Sequence, residues 1–122
     1  CYTSDSPEDL EHGAQLLRAH MAYYIGGMGN YYFDSFSRAG FETEATAVRD
    51  AWASRDREQA ANSVSDRMLE SVVVLGDAQQ CRDQIAGFRQ AGVNMPVATF
   101  PHGMELSAIH RTIAALAPQA GD

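Results

Sequence analysis

The sequence predicts an α/β fold of which only part is present, and three observations carry that expectation. Asp77 and Gln80 stand three residues apart ahead of an amphipathic stretch, the spacing of a reciprocal capping box that starts a helix. Gly92 follows where a left-handed residue would end that helix. Residues 93–100 are then an apolar run, broken by Asn94 and Pro96 and too short for a helix, so they read as a buried strand. Helix, stop and strand form the second half of a β-α-β unit. Such a strand needs parallel neighbours and helices over the sheet, yet about one good strand is found in a mostly helical chain. The chain therefore reads as a portion of a larger α/β domain.

The remaining elements follow in order. Residues 1–3 are expected to be the tail of a strand. SPED at 6–9 starts a helix, with Ser6 as cap, Pro7 in the first turn and two acids beside it. Leu10, Ala14, Leu17, Met21 and Tyr24 form its apolar stripe, and Gly26 should end it. GGMGN at 26–30 is a sharp turn, and the next segment brings Tyr32, Phe33 and Phe36 into a short helix that Gly40 can close. A third helix over 43–53 places Ala45, Val48, Ala51 and Trp52 on one side. Asp56 with Gln59 caps a piece carrying Ala60, Ala61 and Val64. Ser65 caps another, with Met68, Leu69, Val72 and Val73 facing inward and the helix running to Gly76, although VVVL at 72–75 has strand composition. In the helix after Asp77, Cys81, Ile85 and Phe88 share a face. Leu106, Ile109, Ile113 and Leu116 trace a last helix stopped by Pro118, with a frayed tail from Gln119.

Composition narrows the partners. The chain has 122 residues, 45% hydrophobic and 20% charged, which argues against disorder. Nine basic residues, all arginine, oppose sixteen acids for a net charge of -7, so nucleic acid and anionic membranes are poor partners. No apolar span of membrane length occurs. Cys1 and Cys81 could pair, but a buried free thiol is the preferred reading for a cysteine on an apolar helix face, and a reducing cytoplasm fits.

Candidate chemistry is sparse. His12, His20, His102 and His110 lack ligand spacing, so no metal is expected. GxGxxG, GxxxxGK, CxxC and GxSxG are all missing, and no catalytic constellation assembles. Two stretches stand out. GGMGNYY at 26–32 combines backbone freedom, an adaptable thioether and two phenols, material for a pocket wall over an apolar ring, in which Gly27, Met28 and Tyr32 would take part. The plainer reading, favoured by composition alone, is a helix-loop-helix turn whose aromatics fill a core. FPHG at 100–103 lies just past the carboxyl end of the expected strand, where α/β folds place ligands, so His102 has position in its favour, though a loop histidine is more often simply solvated.

AHMAYYIGGMGNYYFDSFSRAGFETEATAVRDAW, followed by VSDRMLESVVVLGDAQQCRDQIAGFRQAGVNMPVATFP, resembles the carboxyl-terminal part of the luciferase-like monooxygenase superfamily, in its deazaflavin-dependent oxidoreductase branch. The resemblance implies a (β/α)8 TIM barrel, with residues 1–3 ending strand seven, 8–74 an elaborated helical crossover, 77–91 an outer helix, 93–100 strand eight and 105–116 the final helix. A complete barrel takes roughly 250 residues, so the strands that carry most cofactor contacts lie outside these residues. The activity implied is hydride transfer with the deazaflavin coenzyme F420, or with flavin mononucleotide (FMN) as the alternative, on a small-molecule substrate. By itself the segment is expected to be inactive, to bind neither cofactor tightly, and to bury its apolar faces on the rest of the barrel or on a copy of itself. A helical interaction domain without redox chemistry is the competing class.

Overall fold

The computed structural model describes residues 1–118; the tail from Gln119, expected to fray, lies outside them. The chain divides into two compact units, residues 1–14 together with 73 onward, and residues 15–72.

Unit one is built on a short, open, parallel sheet. β1 (Tyr2–Thr3) pairs with β2 (Leu75–Gly76), Tyr2 opposite Leu75 and Thr3 opposite Gly76. Helix α1 (Pro7–Gly27) begins as its sequence dictates, with the Asp9 amide donating to Ser6 Oγ at 3.3 Å. At Gly13 this helix meets the Tyr2 ring so closely that an added Cβ would lie 2.4 Å from Tyr2 Cδ1. Helix α6 (Ala78–Gln90) carries the full capping box, Gln80 N–H to Asp77 Oδ1 at 2.8 Å and Asp77 N–H to Gln80 Oε1 at 2.9 Å. It ends in a Schellman stop. Gly92 takes φ 105°, its amide donates to Arg89 O, and the Val93 amide reaches back to Phe88 O, each at 3.0 Å. Replacing Asp77 with Ala is expected to cost about 1 kcal/mol in urea unfolding, because it orphans the Gln80 amide in the first turn. Helix α7 (Leu106–Leu116) packs on α6 and β1.

Unit two holds the rest of α1, four further α-helices and a π-helical turn. α2 (Tyr31–Phe36) runs into a π-helical turn (Ser37–Phe41), which Gly40 kinks with φ 92° before α3 (Glu42–Ala53). Glycine is needed there because a Cβ disfavours that region. α4 (Arg57–Asn62) and α5 (Asp66–Glu70) start at Asp56 and Ser65, each accepting an amide as expected. The core is Leu17, Met21, Ala22, Ile25, Phe41, Ala45, Val48, Ala60, Val64, Met68 and Leu69.

Three sequence expectations need correction. The strand foreseen at residues 93–100 joins no sheet among the described residues; Val93, Met95 and Val97 are exposed there, and the strands lie at β1 and β2. A strand exists only through a pairing partner, and this stretch meets β1's end through Thr99 O, which accepts from the Cys1 amine at 2.8 Å. The helix foreseen to run to Gly76 stops at Glu70, since Val74 O is taken by the Tyr2 amide at 2.9 Å and draws the chain into β2. Finally, α7 turns Ala108 and Thr112 inward and leaves Leu106 and Ile113 exposed at 65% and 52%. Its small side chains allow close approach to β1, so Leu106 and Ile113 face out while Ile109 and Leu116 are half-buried.

Candidate functional site

The GGMG segment forms a corner of unit two where α1 ends and α2 begins. Gly26 and Gly27 lie against the indole of Trp52 from α3: added Cβ atoms would stand 2.5 Å from Trp52 Cγ and 2.9 Å from Trp52 Cζ2. Arg57 covers the ring as well, its guanidinium carbon 3.6 Å from the ring centroid, while its Nη1 donates to Trp52 O at 2.7 Å. The glycine pair is therefore spent on packing Trp52. Beyond it, Arg49 fixes the loop by donating to Asn30 Oδ1 at 3.0 Å, with its guanidinium 3.4 Å from the Phe33 ring centroid.

The expected site residues separate on this frame. Gly27, Met28 and Tyr32 share the corner; Met28 is 46% exposed, and Tyr32 is half-buried edge-on to Tyr24 at 4.8 Å. Tyr31, the other phenol of that stretch, is 71% exposed. His102 belongs to unit one, exposed in a turn closed by the Met104 amide and Pro101 O at 3.2 Å. What the corner offers is an aromatic and thioether surface suited to a planar apolar ring. A cleft of about 330 Å³ lined by Gln15, Arg18, Asn62, Val64, Ser65 and Asp66 is polar, but Arg18 already bonds Val64 O and the Asp66 carboxylate.

Unit one holds a polar network at the carboxyl end of β1 that the sequence did not announce. Thr112 Oγ1 accepts the Thr3 amide at 3.1 Å, Arg111 Nε donates to Thr3 O at 2.8 Å, and Arg111 lies 3.6 Å from Asp9, which also accepts from Ser4 Oγ at 3.0 Å. A threonine amid the apolar residues of α7 was the available signal. Cys81 is fully buried and Cys1 half-buried, and both are free; the Thr3 hydroxyl donates to Cys81 Sγ at 3.3 Å. Burial pushes the Cys81 thiol above its ordinary value of 9.0, against the Thr3 hydrogen bond. Native protein then keeps this proton where unfolded chain loses it, so the contribution is complete below pH 9 and is lost as pH rises beyond it. Urea midpoints should fall more steeply above about pH 9 in the native sequence than in Cys81→Ala.

Residues 1–95 match the family model of the luciferase-like monooxygenases. The chain belongs to that family. It is also similar to a protein of Mycobacterium tuberculosis named as a coenzyme F420-dependent oxidoreductase, 31% identical over 87 residues that make up 68% of this chain and 25% of the relative. The chain thus spans about a quarter of that relative's length. No solved structure matches it. For a luciferase-like protein the described part is mostly helical with a small open parallel sheet. Among the described residues no helix is long and apolar enough to cross a membrane, and no group of three or more His, Cys, Asp or Glu could hold a metal ion.

Proposed function

We propose that these residues are the carboxyl-terminal portion of a (β/α)8 oxidoreductase that uses coenzyme F420, with FMN as the alternative cofactor. The observation that carries the reading is the family match over residues 1–95, together with a relative whose name specifies coenzyme F420. In this arrangement residues 1–3 end strand seven, 8–74 are the helical crossover, 77–91 an outer helix, 93–100 strand eight and 105–116 the final helix. The tie from the Cys1 amine to Thr99 O supports setting 93–100 beside β1, and the exposed Val93, Met95 and Val97 supply apolar surface for further strands to cover.

The residues present fit one face of a planar ring and not its phosphate. Met28 and Tyr31 are exposed and apolar, whereas Arg18 and Arg111 are engaged by Asp66 and Asp9. When bound, the deazaflavin would supply the hydride. Gly27, Met28 and Tyr32 would form a wall that excludes water and orients the ring. The remainder of the barrel would carry the phosphate contacts and cover the open sheet.

Titration of each cofactor into the complete polypeptide bearing these residues, followed by fluorescence and then by a hydride-transfer assay, tests the reading. Coenzyme F420 is expected to bind, and Met28→Ala and Tyr32→Phe to change turnover more than melting temperature. Tight FMN binding without coenzyme F420 binding overturns the branch. Binding of neither, with both variants behaving only as packing defects, points to a helical interaction domain.

A further inference from the structure

We propose that unit two contains a relay for one-electron oxidation, a chain of redox-active rings that carries an oxidising equivalent from Trp52 to the surface at Tyr31. The chain has one tryptophan and five tyrosines, and every tyrosine except Tyr2 falls in this array. Trp52 meets Tyr23 at 5.9 Å between ring centroids, Tyr23 meets Tyr24 at 5.6 Å, Tyr24 meets Tyr32 at 4.8 Å and Tyr32 meets Tyr31 at 5.2 Å. All four contacts are edge-to-face, so successive π systems touch with no aliphatic side chain between them. Electron tunnelling weakens exponentially with the gap between partners, and contact spacing makes each hop fast compared with one long jump.

Ordinary aromatic packing would account for ring contacts, but three further features give this series a direction. The Arg57 guanidinium lies 3.6 Å from the Trp52 ring centroid and disfavours positive charge on the indole. A phenol that loses its proton with the electron is easier to oxidise than an indole at neutral pH, so the step from Trp52 to Tyr23 runs downhill. Exposure falls at the half-buried Tyr24 and Tyr32 and is highest at Tyr31, 71% against 49% at Tyr23, so water accepts the phenolic proton most readily at the far end.

The steps balance. A one-electron oxidant takes an electron from Trp52, and the indole N–H proton leaves to water. The indolyl radical then recovers an electron and a proton as Tyr23 gives up one of each and becomes a phenoxyl radical. The same exchange moves the radical through Tyr24 and Tyr32 to Tyr31, where a solution thiol donates a hydrogen atom and restores the phenol, and the thiyl radical left behind pairs with a second one as a disulfide. Such a relay would drain stray oxidising equivalents from a redox protein before they damage its core, whichever cofactor the protein uses.

Pulse radiolysis of the 122-residue chain with azide radical, which oxidises indole in preference to phenol, tests this. Decay of the indolyl absorption should match growth of the phenoxyl absorption, at a rate independent of protein concentration. Tyr23→Phe should slow that transfer at least about tenfold and Arg57→Gln should slow it less, while Tyr2→Phe, outside the array, should leave it unchanged. A nitroso spin trap followed by peptide mass spectrometry should place the adduct on Tyr31 in the native sequence and move it to Tyr23 in Tyr24→Phe. Circular dichroism confirms that each variant is folded, and Tyr24→Phe with Arg57→Gln serve if Tyr23→Phe is not. Equal transfer rates in the native and Tyr23→Phe chains, or an adduct that stays on Tyr31 in Tyr24→Phe, overturn the relay and leave a packing cluster.

Discussion

Gly26→Ala should destabilise the protein by about 1–3 kcal/mol, the usual cost of overpacking a filled site. The sign is not obvious from propensity, since alanine inside a helix is worth roughly 1 kcal/mol more than glycine. Geometry decides it: the new methyl would lie 2.6 Å from Trp52 Cβ, an atom tied to the α3 backbone that cannot swing aside. Gly87 supplies the contrast, because it sits inside α6 with nothing within 4 Å of an added Cβ. Gly87→Ala should therefore stabilise by about 0.5–1 kcal/mol. Urea unfolding of both variants, with Gly26→Ala repeated in a Trp52→Ala background, checks the cause. If the penalty persists without the indole, Trp52 is not its source.

Ile25→Ala should cost about 2–5 kcal/mol, because Ile25 is 0% exposed and truncation leaves a cavity that a packed helix cannot close. Leu106→Ala, which removes a similar side chain at 65% exposure, should cost well under about 1 kcal/mol. Denaturant midpoints measured side by side give the comparison directly. Equal losses would mean that Leu106 is covered in solution, as burial on the rest of a barrel or on a second copy would require.

Leu106 also marks where sequence reading ended. Asp77 with Gln80, and Gly92 after them, were legible because caps and stops are local: each partner lies within a few residues, and the structure shows both devices in full. The face of α7 was not, since Leu106, Ile109, Ile113 and Leu116 form a good stripe by spacing, while the side that packs is chosen by the Thr3 amide seeking Thr112. Residues 72–75 failed similarly. Their composition suits strand or helix, and the Tyr2 amide, far away in sequence, decides between them. At the corner after α1 the motif was legible but its partner was not: nothing near GGMG discloses that Trp52 fills the space above Gly26 and Gly27. His102 was singled out by position alone, and it is exposed in its turn.

The arginine–aromatic stacks have a consequence for tolerance of alkali. Arg49 on Phe33, Arg57 on Trp52 and Arg67 on Phe41 lie 3.4, 3.6 and 4.4 Å from their ring centroids, in a chain whose basic residues are all arginine. An ammonium in those places could not lie flat on a ring, whereas a planar guanidinium stacks on it. These three clasps hold unit two by stacking, so alkaline unfolding should begin at Cys81 in unit one, where a buried thiol is asked to give up its proton.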